Sequence, residues 1–342
     1  MTQYSFKDDY SEGCHPSILD LLAQTNLLQQ NGYGEDEFSL QAKDFIHRQL
    51  NNPASKIHFV SGGTQANLIV ISALLRPHES VIAAASAHIS TNEAGAIEAQ
   101  GHKVNTILSQ DGKIKPGDML QVLAQHHHTP HVVKPKLVYI SNATELGTHY
   151  TLSELKAIYE FCQAHDLYLF MDGARLGNAL QVGDMSLADV AKYTDVFYLG
   201  GTKNGALLGE AIIINRLELQ IDFDFFIKQK GAMLAKGRVL GIQFLALFQD
   251  GLYDQLAHHA NQLAQKIKHA MTEKGINFLV QTETNQIFPI LPNSLINSLK
   301  EQYDFHEWKE MDDEFTAIRL VTSWATPEYV VEEFIAFFNK KI

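Results

Sequence analysis

From about residue 56 the chain settles into one alternation, and that alternation limits its fold more than any other feature. "KIHFVSGG" is a strand-like run ending in glycines, and "TQANLIVISALL" follows with helical spacing. "SVIAAAS" reads as a strand and "STNEAGAIEAQG" as a helix closed by Gly101. Next come a strand, "KLVYISN", an amphipathic helix opened by Thr151, "TLSELKAIYEFCQAHD", and a strand, "LYLFMDG". "TDVFYLGG" and "EAIIIN" add two more strands. Strands that are apolar along their whole length are buried on both faces. The pattern therefore predicts an α/β fold in which a mixed, mostly parallel sheet is sandwiched by helices. Ligands bind such sheets beyond the carboxyl ends of the strands. Three of these ends, "SGGT", "MDGAR" and "GGTK", carry residues capable of chemistry.

After a long helix beginning near Leu240 the character changes to "NFLV", "QIFPILP", "TAIRLVTSW" and "PEYVVEEFIAFFNK", a βαβ-like set. We expect a large domain over residues 1–245 and a smaller α/β domain over 246–342, with the extreme N-terminal segment a candidate to pack on the small one. The formal net charge of −12 argues against nucleic acid or an anionic membrane as partner. Two cysteines, Cys14 and Cys162, exclude a disulfide framework or a cysteine-based zinc site. "MTQYSFKDDY" lacks the profile of a signal peptide and no apolar run reaches membrane-spanning length, so a cytoplasmic enzyme-sized protein is expected.

Each strand end has two readings. "SGGTQAN" is either a phosphate cradle of backbone N–H groups helped by the Thr64 hydroxyl, or a plain glycine turn with Thr64 as helix cap. Asp172, ending "LFMD", is either a buried acid that needs a partner or a helix-capping residue. Lys203, hemmed in by Gly200, Gly201, Gly205 and Gly209, is either a solvated hairpin tip or an amine beside a bound ring for which the glycines leave space. Together, a phosphate cradle, a buried acid and a sequestered lysine meet the needs of pyridoxal phosphate: N–H groups for its phosphate, a carboxylate for its ring nitrogen, an amine for its aldehyde. A nicotinamide cofactor is disfavoured, because the first strand-to-helix turn lacks the glycine fingerprint.

With those residues in place the chain resembles the threonine aldolase and β-eliminating lyase family of fold-type-I pyridoxal-phosphate enzymes, over nearly its whole length. The resemblance rests on "GYGED", "SGGTQAN", "SAHIST", "MDGARLGNA", "GGTKNGALLGEA" and "IRLVT". It implies that Lys203 forms the imine with the cofactor, that Asp172 partners the pyridine nitrogen, and that Gly62, Gly63 and Thr64 hold the phosphate. His88 would lie on the ring and act in proton transfer. Arg175 and Arg319 would grip the substrate carboxylate. Tyr33 and His131 would enter the site from a neighbouring subunit, Arg238 and Lys230 would reach the phosphate, and Asn142 would bond the ring hydroxyl. Shared sites of this kind imply a homodimer or homotetramer. The triplet His126, His127 and His128 is read as solvated loop, with no metal expected.

Two departures fall at the substrate end. Asp8 in "FKDDYSEG" stands where relatives carry a serine that helps bind the carboxylate, and "SNATELGTHY" replaces their "NTHN" stretch. The expected reaction is retro-aldol cleavage of threonine or allo-threonine to glycine and acetaldehyde. The alternatives are β-elimination from another amino acid, giving pyruvate and ammonia, and a non-catalytic protein of the same fold.

Overall fold

The computed structural model describes residues 3–342. Seven strands form the central sheet: β2 (Lys56–Val60), β3 (Glu79–Ala84), β4 (Val104–Ile107), β5 (Lys134–Ser141), β6 (Tyr168–Asp172), β7 (Val196–Gly200) and β8 (Glu210–Ile214). A two-residue strand, β1 (Tyr4–Ser5), precedes them. The sheet order is β2-β8-β7-β6-β5-β3-β4. Only β8 runs antiparallel to its neighbours. Strands β3, β7 and β8 are buried at every position, as their unbroken apolar runs require of a sheet covered on both faces.

The helix Leu152–Ala164 begins as its sequence promises: Thr151 and Glu154 form a reciprocal capping box. The stretch "STNEAGAIEAQG" does not form the expected helix. A single turn, His88–Thr91, is followed by a 3-10 turn, Glu98–Gln100. Ala94 and Gly95 sit at φ 50° and 73°, outside the helical region, and break it.

The second set of strands is β9 (Gln286–Ile287), β10 (Ile290–Pro292), β11 (Tyr303–Asp304), β12 (His306–Glu310) and β13 (Phe315–Val321). Strands β10 and β12 flank β13 antiparallel, and β9 pairs with the other end of β13. "NFLV" forms no strand beyond one isolated bridge, Phe278 to Pro289. The charged run "HEWKE", which lacks the apolar signature, does form one. Strand β1 pairs in parallel with β11. Phe6 is buried in the same cluster as Ile267, Leu291 and Phe334, separate from the central core around Ile82, Phe170 and Ile213. The helix Leu252–Glu273 joins the two clusters, with Leu256 in the central core and Leu263 in the second. Among the described residues no helix is long and apolar enough to cross a membrane.

Candidate active site

Strands β5, β6 and β7 run parallel, so their carboxyl ends reach one edge together, with Ser141 in register with Asp172. The Gly200 N–H donates to the Gly173 carbonyl at 2.9 Å. A cavity of about 800 Å3 opens there, bounded on one side by the N-terminus of the helix Gly63–Leu74 and on another by β12 and β13. Gly62, Gly63, Thr64, His88, Asp172, Arg175, Lys203 and Arg319, all singled out in the sequence, line it.

Asp172 is 4 % exposed, lines the cavity and accepts four hydrogen bonds. Its Oδ2 accepts from the Tyr139 hydroxyl and from Asn67 Nδ2 at 3.2 Å. Its Oδ1 accepts from the Tyr198 hydroxyl and from the Ala174 N–H at 2.9 Å. Burial, followed by the Asp172 charge, pushes both phenols well above the ordinary tyrosine range, so they stay neutral donors. An acid at this strand end was legible in the sequence; its cage of two tyrosines and an asparagine was not.

Lys203 occupies the connection between the antiparallel strands β7 and β8, but it is half-buried at the cavity wall and not a solvated hairpin tip. Its amine makes no hydrogen bond or ion pair with the described residues; burial and then the Arg175 charge lower it from the usual lysine range. The surrounding glycines serve the chain's own packing and not a bound ring, which corrects the sequence expectation. A Cβ at Gly200 would collide with the Ala174 carbonyl, and one at Gly205 with the Leu256 side chain.

Glu210, at the start of β8, accepts from the Gly201 N–H at 3.0 Å and is 4 % exposed. Burial pushes its carboxyl up to about 8 from 4.5. Folding therefore favours the protonated form. That contribution is complete below pH 4.5 and is lost as pH rises through 8. In the cofactor-free protein, Glu210→Gln should remove a loss on the order of 5 kcal/mol across that window. Thermal melts from pH 5 to 9 check this; parallel curves for the two proteins would refute it.

His88 is held from two sides. Its Nδ1 lies 2.9 Å from Oε1 of Glu93, whose side chain is fully enclosed, and its backbone N–H donates to Glu145 Oε1 at 2.9 Å. Asn67 Nδ2 also donates to Glu93 Oε1 at 2.7 Å, so one amide links the His88 partner to Asp172. Burial and the Asp172 charge raise Glu145 above the ordinary glutamate range. Glu145 belongs to the stretch that departs from "NTHN", and it lines the cavity. Neither glutamate was found from the sequence, although Glu93 in "NEAGA" lies only five residues after His88.

The two guanidiniums differ. Arg175 Nε and Nη2 fork onto Asp9 at 2.6 and 3.0 Å, and Asn285 Nδ2 adds a third bond to Asp9 at 2.9 Å. Burial alone would lower Arg175 and raise Asp9, but their mutual attraction outweighs it in both. Arg319 Nη2 donates to the Lys7 carbonyl at 2.8 Å and to Asp8 Oδ1 at 3.2 Å.

Five expected residues lie outside the cavity. The Asn142 side chain turns away from it: Oδ1 accepts from the Tyr150 N–H at 3.1 Å, and Nδ2 faces Met185. Arg238 donates to the Leu28 and Thr25 carbonyls, and the Lys230 amine bonds Gln100 Oε1. Tyr33, 54 % exposed, lines a separate cavity of about 420 Å3 with Lys43 and His58. His131 is exposed in its loop and stacks on His128. Among the described residues no group of three or more histidine, cysteine or acidic side chains could hold a metal ion.

Comparison with known proteins agrees with this geometry. The profile of the family described as beta-eliminating lyase matches residues 8–293. A low specificity L-threonine aldolase of Pseudomonas aeruginosa is 34 % identical over 304 residues, 87 % of each chain. One from a Pseudomonas species is 32 % identical over 341 residues, covering 98 % of this chain and 96 % of that protein. The solved structure of Leishmania major threonine aldolase superposes with a TM-score of 0.97 at 46 % identity, over 98 % of this chain and 99 % of that one. Aspartate aminotransferase of Thermus thermophilus superposes with a TM-score of 0.72 at 14 % identity, over 99 % of this chain and 92 % of that one, a likeness of fold alone.

Proposed function

The chain belongs to the beta-eliminating lyase family, and from that premise we propose that it is a pyridoxal-phosphate-dependent carbon–carbon lyase cleaving threonine or allo-threonine to glycine and acetaldehyde. One observation carries the reading: the unpaired Lys203 amine opens on the same cavity as Asp172, His88 and two guanidiniums. The relatives named threonine aldolases support the choice of substrate.

The residues present fit the cofactor. The first turn of the helix Gly63–Leu74 has no side-chain cap, which leaves backbone N–H groups for a phosphate. A Cβ at Gly62 would meet no atom within 4 Å, so the approach to that turn is open. Asp172 would serve the ring nitrogen, and Lys203 would carry the group through its amine. Once bound, the cofactor supplies an electron sink for the bond that breaks at Cα.

The chain's own side chains do the rest. A guanidinium orients the substrate carboxylate, which sets the angle of the Cα–Cβ bond. Arg175 is already forked onto Asp9, so Arg319 is the better placed of the two and Arg175 supports it by charge. His88 takes the β-hydroxyl proton as the aldehyde leaves, and Glu93 holds the imidazole with Nδ1 directed inward. His131, exposed in its own chain, acts in this scheme only when a neighbouring subunit supplies it. The exposed Tyr33 and the exposed leucines Leu19, Leu27, Leu28 and Leu40 support a homo-oligomer with shared sites. A fully active monomer would contradict that.

Incubating the purified protein with pyridoxal phosphate and each threonine isomer, and assaying acetaldehyde against pyruvate, tests the activity. Pyruvate and ammonia without aldehyde would transfer the protein to β-elimination, and no product at all would remove the lyase reading. Glu93→Gln should lower kcat on the order of 10²-fold with little change in KM. Glu93→Asp should recover part of the loss; a kcat equal to that of the unsubstituted enzyme in Glu93→Gln would show that His88 needs no such hold.

A further inference from the structure

We infer that Asp8 is an internal competitor for the substrate carboxylate: it occupies Arg319 in the ligand-free protein and is displaced when an amino acid binds. The inference rests on the functional reading above, in which a guanidinium receives that carboxylate.

The two arginines of the cavity each hold an acid from adjacent residues of the N-terminal segment, in different ways. Asp9 is completely enclosed and grips Arg175 with both oxygens, and Asn285 ties it further. Nothing in that arrangement can be vacated without leaving a buried charge uncompensated. Asp8 uses one oxygen at 3.2 Å, its side chain is 22 % exposed, and it lines the cavity. Its contact imitates a ligand's: a carboxylate on Arg319 at the wall where a substrate would sit.

The Arg319 fork is only partly used. Nη2 is shared between Asp8 and the Lys7 carbonyl, and Nε is buried with no partner. The Trp308 ring centroid lies 5.3 Å from the guanidinium carbon, a cation–π contact that backs the group. An incoming carboxylate can make a paired contact with this guanidinium where Asp8 makes a single one. Asp8 also has places to go. His306 Nε2 lies 3.8 Å from its Oδ1, and Tyr10 lines the same cavity. Two carboxylates cannot share one guanidinium face without repulsion, so the charge of Asp8 weakens every amino acid the site binds.

The test compares the holoenzyme with its Asp8→Asn and Asp8→Glu variants, using calorimetric titration with glycine and the KM for threonine. Asp8→Asn should tighten glycine and lower KM about tenfold, and Asp8→Glu, which keeps the charge, should leave both near the unsubstituted values. Unchanged or weaker binding in Asp8→Asn overturns the inference. So does an equal gain in both variants, which would mark an effect of space instead of charge. A crystal structure of the unsubstituted holoenzyme with glycine gives an independent check should the variants unfold. Asp8 should then lie on His306 or Tyr10, and an intact Asp8–Arg319 contact beside bound glycine refutes the idea. The titration needs no turnover. An enzyme that binds glycine but releases no aldehyde therefore fails the functional reading without deciding the role of Asp8.

Discussion

Lys203→Ala should lower kcat/KM for threonine at least on the order of 10³-fold, about 4 kcal/mol of transition-state stabilisation. Among the described residues the amine has no hydrogen bond or ion pair, only a cation–π contact with the Tyr10 ring at 6.0 Å. A charged lysine in that position would face the Arg175 guanidinium, and burial works against the charge as well. Both effects favour the neutral amine, the form that attacks an aldehyde. Melting curves of the variant, read beside its kinetics, separate loss of chemistry from loss of fold. Borohydride reduction of the holoenzyme followed by peptide mapping should place the adduct on Lys203. A reduced adduct on another lysine, or turnover within tenfold in the alanine variant, would end the proposal.

Asp172→Asn should cost on the order of 10²–10³-fold in kcat, because the negative charge that would keep a bound cofactor's ring nitrogen protonated is lost. Here the fold should suffer as well. Four donors converge on the carboxylate, two of them tyrosine hydroxyls that burial keeps protonated. An amide offers one acceptor and turns a donor toward two others, so stability should fall by about 1–3 kcal/mol. Thermal melts read the second effect and steady-state kinetics the first. An asparagine variant that keeps its activity would show that Asp172 only braces Tyr139 and Tyr198.

The legible part of the site follows a simple rule. Asp172 closes an otherwise apolar strand and Lys203 follows one by three residues, and a charged residue there stands out against its neighbours. Residues without such a contrast were missed. Glu93 sits in a broken helical stretch, Glu145 in a loop, and Glu210 at the mouth of a strand whose remaining residues read as core. Asn142 was misread for a related reason: its place at a strand end suggested a ligand, but its side chain satisfies the Tyr150 N–H inside the protein.

Local order could be read directly, because strand runs, the Thr151 capping box and the glycine-rich strand ends depend on residues a few positions apart. Those features determined the layered sheet and the edge at which chemistry would gather. The partners of the charges were decided only by folding. Asp9 meets Arg175 across 166 positions, Asn67 meets Asp172 across 105, and Arg319 meets Asp8 across 311. Which acid neutralises which base depends on who shares a buried, low-dielectric space, and that space does not exist until distant segments close around it.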